Sequence, residues 1–151
     1  MLFYTHLLLG IVFFLVTRGF WPAISTPVFF VILLLGSLLP DLDEPHSRIN
    51  RWSGIIGRIT AFLTRHRGFF HSLFFIAIVA GVVIYFWNWY YGLALALGYV
   101  AHLVGDMLTP MGVALFYPFS SFKLLGPIRT GSVWEKVFMA VLIAVIVLKL
   151  L

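Results

Sequence analysis

This chain withholds charge for a dozen or more residues at a time and then releases it in bursts, and that patterning limits what it can fold into. Between Leu2 and Val16 the one side chain able to carry charge near neutral pH is His6. From Val28 to Gly36 no side chain is polar, and from Ser72 to Trp87 none is charged. A bilayer crossing needs roughly 17–25 largely apolar residues, and the runs predict five such spans. The first covers about Leu2 to Val16 and closes at Thr17-Arg18-Gly19. It has no basic leader and no small-residue cleavage signature, so it is expected to be a retained helix. The second starts near Pro27 and stops at Pro40, the third runs from Phe69 to about Trp87, the fourth from Gly92 to Met107, and the fifth from Ser132 to Leu151. Only 10% of the residues are charged, against about 25% in an average soluble domain. The predicted fold class is therefore an all-α integral membrane protein, one domain over residues 1–151.

The stretch between the second and third spans is more than a connector in composition. Ile49, Trp52, Ile55, Ile56, Ile59, Phe62 and Leu63 recur at three-to-four spacing, with Arg48, Arg51, Arg58 and Arg65 off that stripe. This predicts an amphipathic helix over about 47–65, lying in the membrane surface with its arginines toward phosphates. A connector with a solvated basic face explains the pattern too, and also puts it at the interface. After Pro110, a stretch rich in Gly, Pro and aromatics reads as a loop with a short re-entrant or interfacial piece. With five spans, the N-terminus, the 41–67 stretch, the 107–131 loop and the start of the last span share one side. Eight of the ten Lys and Arg residues fall there, which makes that side cytoplasmic.

The same side collects the chemistry. Three of the chain's five acidic residues stand in Gly36-Ser-Leu-Leu-Pro-Asp-Leu-Asp-Glu-Pro45. Taken alone, that decapeptide is a turn at a helix end. In the five-span arrangement, however, His6, Asp41, Asp43, His66, His71, His102 and Asp106 all lie within about two turns of one membrane face. Ionisable groups at such depth are costly and usually functional. His102 and Asp106, four apart, share a helix face one turn from each other, and Gly98 and Gly105 on that helix allow close packing. Imidazole and carboxylate donors without any cysteine suit Zn²⁺, Mn²⁺ or Fe²⁺. Seven donors exceed one tetrahedral Zn²⁺, so two or three divalent ions are expected, an arrangement that typically serves phosphoester hydrolysis. Glu135 stands three residues after Ser132 in a capping-box spacing; it is either that cap, a general base or an extra ligand.

In combination these motifs resemble a known family. Thr5-His6 with Gly10, the 36–43 segment, His66-Arg-Gly-Phe-Phe-His71-Ser72, Gly98-Tyr-Val-Ala-His102-Leu-Val-Gly-Asp106 with Thr109, and Arg129-Thr-Gly-Ser132-Val-Trp-Glu135 are similar to the YdjM-like membrane-bound metal-dependent hydrolases, some of them LexA-regulated. The resemblance spans nearly the whole chain. It implies a multi-span inner-membrane protein with a divalent-metal hydrolase site built from the seven residues above. A more distant similarity links the His-xxx-Asp element to zinc-dependent phospholipase C and P1-type nucleases.

The expected protein is then a hydrolase of the plasma or inner membrane acting on a phosphoester in a lipid or polyprenyl headgroup. Asp41, Asp43 and Glu135 are the candidate catalytic carboxylates. Arg65, Arg67 and Arg129 are the candidate phosphate contacts, through charge-assisted hydrogen bonds. The bilayer and its lipids are the expected partners, and nucleic acid is not. The alternatives are a metal-ion carrier, or a scaffold around a structural metal.

Overall fold

The structure is a computed structural model, and it describes residues 1–20, 26–64 and 67–151. Seven α-helices carry the described chain: α1 Phe3–Thr17, α2 Thr26–Gly36, α3 Arg48–Trp52, α4 Ile55–Leu63, α5 Leu73–Phe86, α6 Trp89–Met107 and α7 Val133–Leu150. Short 3-10 turns at Arg18–Phe20, Leu39–Asp43 and Phe69–His71 punctuate them. Among the described residues there is no strand, only an isolated antiparallel bridge between Val113 and Leu124. The all-α expectation holds. By length and apolarity one described stretch, Phe3–Phe20, is able to cross a membrane; the apolar helices Pro27–Gly36 and Leu73–Phe86 are shorter. α6 and α7 reach 19 and 18 residues, with His102 and Asp106 inside the first and Glu135, Lys136 and Lys149 inside the second.

α6 is the axis, packed against α1, α2 and α5, and α7 lies along α1. Its first turn is capped by Asn88, whose side chain accepts from the Tyr90 N–H at 2.8 Å. Glycine costs a helix about 1 kcal/mol relative to alanine, and Gly98 shows what is gained in exchange. A Cβ there would run into the Leu33 carbonyl and come within 2.8 Å of the Ser37 amide nitrogen. α2 and α6 thus touch backbone to backbone. Around this contact Phe29, Leu33 and Ala94 are buried, while Ile76, Ala80, Tyr99, Leu103 and Val113 fill the α5–α6 side.

Two local predictions are corrected. The 47–65 segment is not one helix but a bent pair, α3 and α4. Gly54 takes a left-handed φ of +59° between them, a conformation that favours glycine. Buried Asn50 fastens the bend, donating at 2.6 Å to both the Leu42 and Gly57 carbonyls. The apolar stripe survives the break, for Trp52, Ile55, Ile56, Ile59, Phe62 and Leu63 are all exposed. The third helix starts at Leu73 rather than Phe69, because Ser72 caps it by accepting from the Phe75 N–H at 3.2 Å. That leaves Phe69–His71 as a separate turn. The loop after Pro110 holds no helix; Val113 and Leu124 exchange backbone hydrogen bonds of 3.1 and 3.0 Å, and the Gly126 and Ile128 amides return to Thr109 and Leu108.

Candidate metal centre

Four elements deliver the donors. His6 is buried one turn into α1, Asp41 and Asp43 ride the 3-10 turn that Pro40 opens, His71 closes the turn before α5, and His102 and Asp106 sit one turn apart on α6. Asp106 is the meeting point. Its Oδ1 accepts from Arg67 at 3.0 Å and from the Met1 amine at 2.6 Å, and it lies 3.5 Å from His6 Nε2. Its Oδ2 lies 3.5 Å from His71 Nε2 and 3.7 Å from His102 Nε2. His71 Nδ1 is 3.4 Å from Asp43 Oδ2, and His102 Nε2 is 3.7 Å from Asp41 Oδ1. The His6 and His102 rings stack with centroids 3.7 Å apart and planes 8° from parallel. Two groups have donor atoms all within 4.8 Å of one another: His6 with Asp41 and His102, and His71 with His102 and Asp106.

The protonation pattern at His102 is fixed by its neighbour. Nδ1 lies 2.8 Å from the Ser37 carbonyl oxygen, which can only accept, so Nδ1 carries the hydrogen. In the neutral ring Nε2 then presents a lone pair, and it presents it to two carboxylate oxygens. His102 Nε2 and both His6 ring nitrogens are buried without a hydrogen-bond partner among the described residues. An imidazole lone pair facing carboxylate oxygens away from water, as at His102 Nε2, is satisfied by a cation between them. The residues present therefore fit a divalent metal, with nitrogen and oxygen donors of the kind Zn²⁺, Mn²⁺ and Fe²⁺ take. At His71, which stands outside the helices, burial alone would lower the pKa. Hydrogen bonding to Asp106 and Asp43 and their negative charge outweigh it and push the imidazole up to about 9.

The predicted residues divide by position. His6, Asp41, Asp43, His71, His102 and Asp106 come together; His66 and Arg65 lie outside the described residues. Arg67 is buried and turned inward, donating to the Thr109 hydroxyl at 2.7 Å as well as to Asp106. Arg129 is exposed in the loop before α7. Glu135 is fully buried but elsewhere: its Oε1 accepts from the Leu2 N–H and the Thr5 hydroxyl at 2.7 and 2.8 Å, and its Oε2 from the Gly131 N–H at 2.6 Å. Ser132 accepts from the Glu135 N–H at 3.3 Å. That is the geometry of a cap, extended across to the start of α1.

Sequence reasoning missed three supports. The Ser37 carbonyl orients His102 in the way outer partners orient metal-bound histidines. Thr109, three residues after Asp106, donates to the Asp106 carbonyl at 2.8 Å and receives Arg67. Tyr99 donates to the Phe70 carbonyl and so steadies the turn that bears His71. Thr109 and Tyr99 stand in the motif around His102 and Asp106, and Ser37 in the acidic decapeptide, but nothing in the sequence marks the bonds they make.

A cleft of about 490 Å³ leads in from the surface, and its lining includes Asp41 and Arg67 together with Glu44, His46, Arg48 and Arg51. Asp41, with a side chain 14% exposed, is the one member of the two donor groups that reaches it.

A family model described as YdjM inner membrane protein matches residues 1–150. Inner membrane protein YdjM of Escherichia coli (strain K12) is 36% identical over 93 residues, 56% of this chain and 46% of that protein, and the Shigella flexneri protein of the same name matches equally. The match thus spans about half the length of these relatives. Protein YvsG of Bacillus subtilis (strain 168) is 31% identical over 109 residues, 70% of this chain and 68% of that protein. No solved structure matches.

Proposed function

The chain belongs to the YdjM family of inner membrane proteins, and from that premise we propose that it is a membrane-embedded metal-dependent hydrolase cleaving a phosphoester in a lipid or polyprenyl headgroup. The observation that carries the reading is His102, whose Nδ1 is taken by the Ser37 carbonyl so that the buried Nε2 faces Asp41 and Asp106. A divalent ion held there would acidify water and polarise a phosphoryl oxygen. His6, Asp41 and His102, or His71, His102 and Asp106, would hold it. One Nε2 lone pair serves one ion, so His102 belongs to a single ion, and a second would draw on the remaining imidazoles and carboxylates. Asp41, at the end of the cleft, orients the attacking water and accepts its proton, while Asp43 holds His71.

Membrane embedding is supported by a molecule that is polar inside and apolar outside. Ile78, Val82 and Ile84 of α5 and Val137, Val141 and Val147 of α7 are exposed, whereas His6, His71, His102, Asp106 and Glu135 are buried. In this reading α1, α2, α5, α6 and α7 are the five spans. α4 lies in the interface on its apolar stripe, and the site faces the cytoplasm, where the basic residues gather. A structural metal is enclosed, with no position for water or substrate; the cleft reaching Asp41 favours catalysis over that role. A carrier needs ligands spread across the membrane, and here they cluster at one end.

Metal analysis of the detergent-purified protein beside His102→Ala and Asp41→Ala, followed by a panel of phospholipids and phosphomonoesters, tests the reading. At least one ion per chain, its loss in His102→Ala, and hydrolysis by the loaded native protein are expected. A native protein with less than one ion per chain, or a loaded one inert toward every phosphoester, overturns it.

A further inference from the structure

We propose that Arg48, fixed on the rings of Phe3 and Tyr4 at the wall of the cleft that reaches Asp41, is the residue that recognises the anionic phosphate group of the substrate. The inference rests on the hydrolase reading and names the recognition element within it.

Three described arginines line the cleft: Arg48, Arg51 and Arg67. Arg67 is held from inside, with Nε alone lacking a partner among the described residues. Its Nη1 and Nη2 serve Thr109, the Gly112 carbonyl and Asp106, with the side chain buried, so it neutralises the centre from inside rather than meeting a ligand. Arg51 is exposed and lies on the rim shared with a neighbouring cleft formed by Pro45, Gly54, Arg58 and Phe62. Arg48 differs from both. Its guanidinium carbon stands 4.6 Å from the Tyr4 ring centre and 5.2 Å from that of Phe3, and Nη1 donates to the Tyr4 hydroxyl at 2.7 Å. Trp52 packs edge-on against Phe3 with centroids 5.6 Å apart, so α3 is locked onto the start of α1.

This pedestal holds a long side chain in one geometry before any ligand arrives. The ordering cost of a flexible arginine is thereby met in the fold, which raises the affinity left for the ligand. One engaged nitrogen leaves the rest of a planar fork suited to two phosphate oxygens. The same α1 turn that carries Phe3 and Tyr4 carries His6, so the anion site and the metal cluster share a rigid support. Phosphate is the shared chemistry of a lipid headgroup and of a free phosphate ion.

The test uses the zinc-loaded full chain in detergent and measures binding of inorganic phosphate by calorimetry, and of phosphatidylcholine vesicles with and without phosphatidic acid by sedimentation of reconstituted protein-free vesicles with the solubilised chain. Arg48→Gln is expected to weaken binding roughly tenfold with metal content unchanged, Arg48→Lys to recover part of it, and Tyr4→Phe to weaken it less. Loss with inorganic phosphate alone marks a free phosphate as the ligand; loss with phosphatidic acid as well marks a lipid headgroup. Native-like phosphate binding in Arg48→Gln overturns the proposal, as does a parallel loss of metal, which would make Arg48 a packing residue. These outcomes are separate from the hydrolase reading, which falls on inertness of the loaded native protein toward every phosphoester.

Discussion

A single backbone oxygen decides what His102 can do. Because the Ser37 carbonyl takes the Nδ1 hydrogen, Nε2 is the ring's only donor atom for a metal. His71 makes a second statement at this scale. Its imidazole is held up to about 9 against an ordinary 6.5, so the metal-free protein retains a proton there at neutral pH that the unfolded chain largely gives up. The raised value stabilises the fold fully below about 6.5, and that stabilisation is lost as pH climbs through about 9. Thermal unfolding of the chelator-treated protein is expected to shift downward between those pH values, while an ion held by His71, His102 and Asp106 would take the proton's place and leave the loaded protein level. A metal-free protein that gains stability over the same interval would refute the assignment. Asp41, His102 and Asp106 were legible in the sequence because charge in an apolar run is conspicuous. Ser37 was not, since a carbonyl is carried by every residue and its role depends only on where the backbone is put.

Among the elements, the α2–α6 contact is what sets that carbonyl in place. Gly98 was legible as a close-packing residue, but its partner, the Leu33–Ser37 backbone, could not be read without the helix pairing. Gly98→Ala is expected to cost at least about 1–3 kcal/mol from overpacking and, by moving Ser37 off His102, to lower metal content in whatever protein folds. Unfolding midpoints and metal analysis on the same preparation check both, and unchanged metal content would separate the packing from the site. The amphipathic stripe of residues 49–63 was readable from its period, whereas the bend at Gly54 was not. The hydrogen bonds of Asn50 to Leu42 and Gly57 are tertiary, and a helical period continues unbroken through a glycine that takes φ +59°. The start of α5 at Leu73 was recoverable in principle, since Ser72 is a preferred capping residue.

On the scale of the molecule, much apolar surface faces outward while His6, Asp43, His71, His102 and Asp106 are buried together, consistent with a mean hydropathy of +1.08. The basic asymmetry sets the proposed orientation, with the first and last helices beginning on the cytoplasmic side. Reporters fused to the C-terminus are expected to be active outside the cytoplasm; a fusion active only within it would reverse the arrangement. Membrane character was open to view in the sequence because it depends on composition over long windows. The inward turn of Arg67 was not, because it depends on a left-handed backbone at that residue and on Thr109 waiting opposite.

The hydrogen bonds that Glu135 accepts from Leu2 and Thr5 also tie two distant parts of the sequence together. The first turn of α1, beside His6, is gripped by a side chain from α7, across more than a hundred residues of sequence. α7, which supplies no donor to either group, thus still fastens the turn of α1 on which one of the donors stands.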